Sequence, residues 1–298
     1  MRMASILANW LTCSAVLLSG CSVAPRIDPA SESASTVPLP EGARIELLTP
    51  YETGRIPVLF VHGIGGTPQD FRAMLDGLDR TRFQAWVFRY PTGVRLPTAS
   101  RALHAALAEI QREHRVDALF IVAHSMGGLV SRGYLADALR DEGGGPARLL
   151  VTLSSPWEGH AWARAGAQFM PGAPGVWTDL SPASEFLVAL REPVPRVPHY
   201  VFFGYRRGPN LFTQESSDGA ITLSSQIPPW IQEQAERCWG FDADHVGVLS
   251  HRAVLERLNA LLASEADRQL ALRPLVDDAF RLADRALDGA DRHEVHVR

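Results

Sequence analysis

Ile121-Val122-Ala123-His124-Ser125-Met126-Gly127-Gly128 joins an apolar run to a helix-like segment through one serine and two glycines. The run from Ala118 to Val122 reads as a buried strand. The segment from Met126 to about Arg140 reads as a helix. A serine between the two sits on a sharp strand-to-helix turn, which lifts its hydroxyl to the top of a sheet. Small residues at positions 123, 127 and 128 suit such a turn, because bulkier side chains would collide with neighbouring backbone. The Met126 amide lies at a helix start and points toward any oxyanion formed beside Ser125. The form G-x-S-x-G is departed from at its first position, where Ala123 stands. Taken alone, the pattern also describes an ordinary glycine-rich turn.

Strands and helices alternate on both sides of this turn. Ile56 to Val61 is a buried strand, and a helix starts at Thr67 or Gln69 and runs through Leu78. Ala85 to Tyr90 is a second strand. Ser100 is placed to cap a helix to about His114, with Leu103, Ala106, Leu107 and Ile110 on one apolar face. Downstream, Gly143-Gly144-Gly145-Pro146 ends the elbow helix. Leu149 to Leu153 and Tyr200 to Phe203 are further strands, and a helix follows residue 250 through Leu262. The alternation predicts an α/β fold, a mostly parallel sheet covered by helices on both faces. Residues 157–198 break it with Trp157, Trp162, Phe169, Trp177 and Phe186 among prolines and glycines. That composition fits a small helical cap insert over the C-terminal edge of the sheet, or an ordinary pair of packing helices.

A serine hydroxyl needs a base to take its proton, and the base works best when a carboxylate orients it. After a nucleophile elbow the expected order is acid, then histidine. Asp218, in Ser217-Asp218-Gly219, fits a turn after the strand that ends near Tyr205. His245 lies on a loop before the last helix. Asp242 and Glu215 compete with Asp218 for the acid. His251 is the main rival for the base and His160 a weaker one. His124 packs beside the serine. His62-Gly63-Ile64 follows the first strand, where a loop that binds an oxyanion belongs, so the Ile64 and Met126 amides form the expected oxyanion hole. His62 shapes that loop, and Gly63 and Gly127 let backbone approach closely.

Val61-His62-Gly63-Ile64-Gly65-Gly66 and Ala123-His124-Ser125-Met126-Gly127-Gly128 resemble the corresponding segments of small bacterial lipases of the Bacillus type, in which alanine replaces the first elbow glycine. Ser155-Pro156-Trp157-Glu158-Gly159-His160, Ser217-Asp218-Gly219 and His245-Val246-Gly247-Val248-Leu249 resemble segments of larger bacterial lipases and related deacylases. The resemblance implies the α/β-hydrolase fold. It also implies acyl transfer from a lipid-like carboxylic ester, with Ser125, His245 and Asp218 as the triad and no metal or cofactor. Amidase, thioesterase or acyltransferase chemistry would use the same residues. A non-catalytic hydrolase-fold lipoprotein is the remaining alternative.

The 298 residues carry a net charge of −4, all 29 basic residues are arginine, and no nucleic-acid footprint is visible. No CxxC, Cys/His cluster or HExxH occurs, which argues against a structural zinc or metalloprotease site. Residues 1–20 read as a secretory signal. Its end, Leu18-Ser19-Gly20-Cys21, resembles the lipobox of bacterial lipoproteins, which implies a lipidated Cys21 and attachment to the cell envelope. Ser22 in the next position implies sorting to the outer membrane. Residues 21–42, with four prolines and several serines, read as a tether. The catalytic domain is expected over 43–263 and a helical or partly disordered tail over 264–298.

Overall fold

The computed structural model describes residues 40–141, 145–170, 172–192, 197–206 and 215–290, the last eighteen of these and residue 169 by backbone alone. The expected signal, Cys21 and all but the end of the tether lie outside the described residues, as do Gly143 and Gly144.

Seven strands form one sheet in the order β1-β3-β2-β4-β5-β6-β7: β1 (Arg44–Leu47), β2 (Ile56–Val61), β3 (Phe83–Arg89), β4 (Leu119–His124), β5 (Ala147–Leu153), β6 (His199–Tyr205) and β7 (Arg237–Asp242). All neighbours pair in parallel except β1, which runs antiparallel along β3. The helices are α1 (Arg72–Asp76, after a 3-10 turn over Pro68–Phe71), α2 (Leu96–His114), α3 (Met126–Ala138), α4 (Ala161–Phe169), α5 (Gly175–Asp179), α6 (Glu185–Ala189), α7 (Leu223–Gln226), α8 (Pro229–Gln234) and α9 (Arg252–Ala290).

β4 is central because nothing in it needs water. All six of its residues are buried, and a strand covered on both faces tolerates an unbroken apolar run. Its alternate side chains divide the core in two. Leu119, Ile121 and Ala123 join Leu103, Leu129, Val130 and the cap residues Val176 and Leu187. Phe120 and Val122 face the other way, toward Phe71, Met74, Val254, Leu258 and Leu262. Helices α2 and α3 cover one face of the sheet, and α1 and α9 the other.

Several elements differ from expectation for identifiable reasons. Ser100 caps no helix. It is buried inside α2 and its hydroxyl donates to the Val130 carbonyl, 3.1 Å away. The cap position lies five residues earlier, at Arg95, and the helix begins at Leu96, whose amide donates to the buried Asp179 carboxylate at 2.7 Å. That cap comes from the insert, 83 residues further on, so no local pattern contains it. The first helix is shorter than expected, a 3-10 turn followed by five residues. The last helix does not stop at Leu262. It continues to Ala290, and Ala266 still packs in the core.

The described residues of the insert include three short helices, α4 to α6, and polar side chains anchor it to the sheet's helices. Arg95 grips Asp179 through Nε and a terminal nitrogen at 2.7–3.0 Å. Arg132 of α3 is buried, and among the described residues it has no carboxylate partner. It donates to the carbonyls of Leu190 (2.7 Å) and Glu192 (3.0 Å) and to the Gln234 side chain, and it lies 5.3 Å over the Trp230 ring. Burial pushes its pKa down to about 10, so it stays charged at neutral pH and three oxygens and the indole face meet that charge.

Candidate active site

Ser125 stands between β4 and α3 with φ 54° and ψ −127°. A non-glycine residue at such a φ costs about 1–3 kcal/mol and persists only where its surroundings over-determine it. The Ser125 amide donates to the Leu153 carbonyl at 2.8 Å, and its carbonyl accepts from Gly128 at 3.0 Å. Two glycines admit the turn. A Cβ on Gly63 would lie 2.8 Å from the Ser125 Cβ. One on Gly127 would lie 2.7 Å from the His62 carbonyl oxygen and closer still to that of Val61. Backbone therefore occupies the space on two sides of the serine.

The residues expected as base and acid, His245 and Asp218, arrive from loops after the last two strands. Ser125 Oγ lies 3.0 Å from His245 Nε2, and His245 Nδ1 lies 2.7 Å from Asp218 Oδ2. A carboxylate only accepts, so the neutral imidazole carries its proton on Nδ1 and presents Nε2 to the hydroxyl. Asp218 is fully buried. Its Oδ1 accepts from the Ala220 and Ile221 amides at 2.9 and 2.7 Å, and its carbonyl accepts from the His245 amide at 3.0 Å. Burial raises the Asp218 carboxyl, but the adjacent imidazole and the two amides outweigh it and hold the group below the usual carboxylate value.

Three residues that sequence reasoning gave no such role support the acid loop. Gln226, fully buried, accepts from the Gly204 amide and donates to the carbonyls of Gly204 and Ile221, all at 3.0–3.1 Å. Gly204 leaves room for this packing, since a Cβ there would lie 2.9 Å from the Ala243 oxygen and 3.1 Å from the Asp218 Cβ. His160 donates from Nε2 to the Ala220 carbonyl at 2.9 Å and accepts from the Trp162 amide on Nδ1 at 3.1 Å. It joins the cap to the acid loop and is not hydrogen-bonded to the serine. Gln226 reaches Gly204 across 22 residues and His160 reaches Ala220 across 60, so no local sequence signal marks these contacts.

The remaining expected site residues also gather here. His124 donates from Nε2 to the His245 carbonyl at 2.8 Å, with the two ring centroids 4.8 Å apart. His62 donates from Nδ1 to the Gly63 carbonyl at 3.0 Å and stacks on Tyr90, whose hydroxyl donates to the His62 carbonyl at 2.7 Å. The loop is pinned again where the Gly65 amide donates to Thr92 Oγ1 at 3.1 Å. Ile64 follows Gly63 on this loop, and Met126 is the first residue of α3. Among the described residues no carbonyl or side chain accepts from either amide, as a helix start and an open turn allow.

The rivals lie elsewhere. His251 has its ring 6.2 Å from that of Phe241. Glu215 accepts from Ser224 at 3.0 Å. Asp242 closes β7, while His245 Nδ1 faces Asp218. Among the described residues no group of three or more His, Cys, Asp or Glu is placed to hold a metal ion.

Two buried imidazoles, His124 at the end of β4 and His199 at the start of β6, make stability acid-sensitive. Burial pushes His124 and His199 each down to about 3. An unfolded chain protonates them near the ordinary value of 6.5. Between those values the unfolded state binds more protons, so stability falls as pH falls from about 6.5 toward 3. The depressed Asp218 acts in the same direction at lower pH. Thermal melts over this window should show a falling Tm, and His199→Gln should make the slope shallower by about one proton. An unchanged slope in that variant would refute the assignment.

The sequence profile of the Alpha/beta hydrolase family matches residues 58–297. None of the curated proteins compared matches this chain in sequence. Among solved structures, the mature lipase BlEst2 of Bacillus licheniformis superposes with a TM-score of 0.56 at 18% identity, over 73% of this chain and 95% of that one. The metagenomic carboxyl esterase MGS0156 gives 0.53 at 14% identity, over 82% of each chain. The monoacylglycerol lipase of Paleococcus ferrophilus gives 0.51 at 14% identity, over 73% of this chain and 98% of that one. At these identities the likeness is one of fold.

Proposed function

The chain belongs to the alpha/beta hydrolase family, and from that premise we propose that it is a serine hydrolase that cleaves lipid-like carboxylic esters. The observation that carries this reading is the unbroken hydrogen-bonded line from Ser125 Oγ through His245 to Asp218, beside two amides with no other acceptor among the described residues.

In the proposed cycle Ser125 Oγ attacks the ester carbonyl as its proton passes to His245 Nε2. The carbonyl π pair moves onto oxygen, and the Ile64 and Met126 amides receive that charge. One such donor is typically worth about 3–4 kcal/mol of barrier. Asp218 stabilises the imidazolium and fixes its orientation. The intermediate collapses, the alkoxide leaves with the proton from His245, and an acyl-Ser125 remains. Water then gives a proton to His245 and attacks the acyl carbonyl. Collapse returns Ser125 Oγ with that proton and releases the acid. His124 acts as a positioning residue: its Nε2–H holds the backbone carbonyl of the base. Burial keeps it neutral through the physiological range, so it adds no charge beside the imidazolium.

A fluorophosphonate probe tests the nucleophile. Mass spectrometry should place the phosphonyl adduct on Ser125, with none in Ser125→Ala. Aryl esters of increasing acyl length, run beside an amide and a thioester, test the substrate class. Preference for the amide or thioester over every ester would reassign the bond that is cut. No labelling of folded protein would favour a binding role instead.

A further inference from the structure

Among the described residues β1 is the one antiparallel strand of the sheet, and its direction decides where the preceding chain lies. Arg44 opens β1 opposite Arg89, which closes β3. The chain therefore enters the fold at the C-terminal edge of the parallel strands, the edge where β4 delivers Ser125. Glu41 and Gly42, just before β1, line a cavity of about 260 Å³ together with His62, Gly66 and Thr67 of the oxyanion loop.

Exposed apolar side chains lie at the same edge. Trp162, at the start of α4, is 67% exposed, the most of any large apolar residue described. It sits two residues from His160, whose ring holds the acid loop at Ala220. Val246, next to the base, is 55% exposed, and Met170, just after α4, is 43% exposed. The inner face of α4 is occupied, because Gly166 abuts the Trp177 ring and Ala163 is buried. Its outer face carries Trp162 and Ala165, and its one charge is the cation of Arg164. An exposed tryptophan beside a cation suits the boundary between acyl chains and phospholipid head groups.

We propose that this edge is a lipid-docking face: Trp162, Val246 and Met170 seat the mouth of the site on the phospholipid bilayer in which an acylated Cys21 is anchored, and the ester enters from that bilayer. The proposal rests on the ester-hydrolase reading and on the lipobox reading of Cys21. Twenty residues separate Cys21 from Glu41. Fully extended, a segment of that length spans at most roughly 70 Å, which bounds the distance from an acylated Cys21 to Glu41. A domain of this size has a radius of gyration of about 18 Å. A tether that starts at the catalytic edge keeps that edge nearest the membrane.

The test uses the full-length protein in vesicles of phosphatidylethanolamine and phosphatidylglycerol with brominated acyl chains. Bromolipid should quench part of the tryptophan emission, and Trp162→Phe should remove most of that quenching. Trp162→Glu should slow a vesicle-borne ester roughly tenfold more than a short water-soluble one. Quenching that is the same with and without Trp162, or equal losses on both substrates, overturns the docking face. Two controls separate the premises. Fluorophosphonate labelling of Ser125 reports on the hydrolase reading by itself. Retention of Cys21→Ala on membranes, combined with Trp162-dependent quenching, supports the face and discards the anchor. Trp162-dependent quenching without Ser125 labelling supports the face and discards the hydrolase.

Discussion

Ser125→Ala and His245→Ala are each expected to lower kcat on a short aryl ester by on the order of 10⁴-fold or more. The double variant should be little worse than either single one, because the hydroxyl and its base act as a unit. Oγ and Nε2 lie 3.0 Å apart, and removal of either leaves only the oxyanion amides and substrate binding. Asp218→Asn should also be severe, roughly 10³–10⁴-fold. An amide nitrogen turned toward Nδ1 would favour the tautomer that points a proton, not a lone pair, at Ser125. Steady-state kinetics with circular dichroism as a folding control decides the matter. Near-full activity in His245→Ala would overturn the assignment of the base.

Gly127→Ala is expected to be the most damaging small substitution for stability. The new methyl would lie 2.7 Å from the His62 oxygen, and nearer to that of Val61. Both oxygens belong to backbone at the end of β2, so no side chain can swing aside. The start of α3 would have to move, and with it the Met126 amide. A loss of at least about 3 kcal/mol follows, or roughly 6–12 °C in Tm for a domain of this size. Urea melts measure the loss directly. A change under about 1 kcal/mol would mean that the elbow relaxes without cost. Ester turnover should fall with stability, through kcat more than KM, because the displaced amide is the proposed donor to the developing oxyanion.

What could be read in the chain follows from how local each feature is. The elbow is legible because one strand, one serine and two glycines specify it within eight residues. Asp218 and His245 can be found because the fold dictates their order, and each sits in a short turn. The supports of that site cannot be read in this way. Gln226 is an unremarkable glutamine until β6 and the acid loop lie on either side of it. Asp179 holds the start of α2 from 83 residues away, so a cap placed at Ser100 lies five residues late. β1 and β7 escape a search for apolar runs because they are edge strands. Neither has a fully buried residue, and β7 reads Arg-Cys-Trp-Gly-Phe-Asp. Near Leu262 nothing in the sequence distinguishes the end of a helix from its continuation, and burial of Ala266 decides for continuation.

β7 also has a consequence in time. The serine and its base are 120 residues apart, and His245 follows the last strand, at the far margin of the sheet. A chain that emerges N-terminus first presents Ser125 long before His245 exists. A chain that has not yet added β7 holds a serine hydroxyl with nothing to take its proton. In the proposed mechanism activity therefore waits until the margin of the sheet is complete, so that one bond cut would also report that the whole domain has folded.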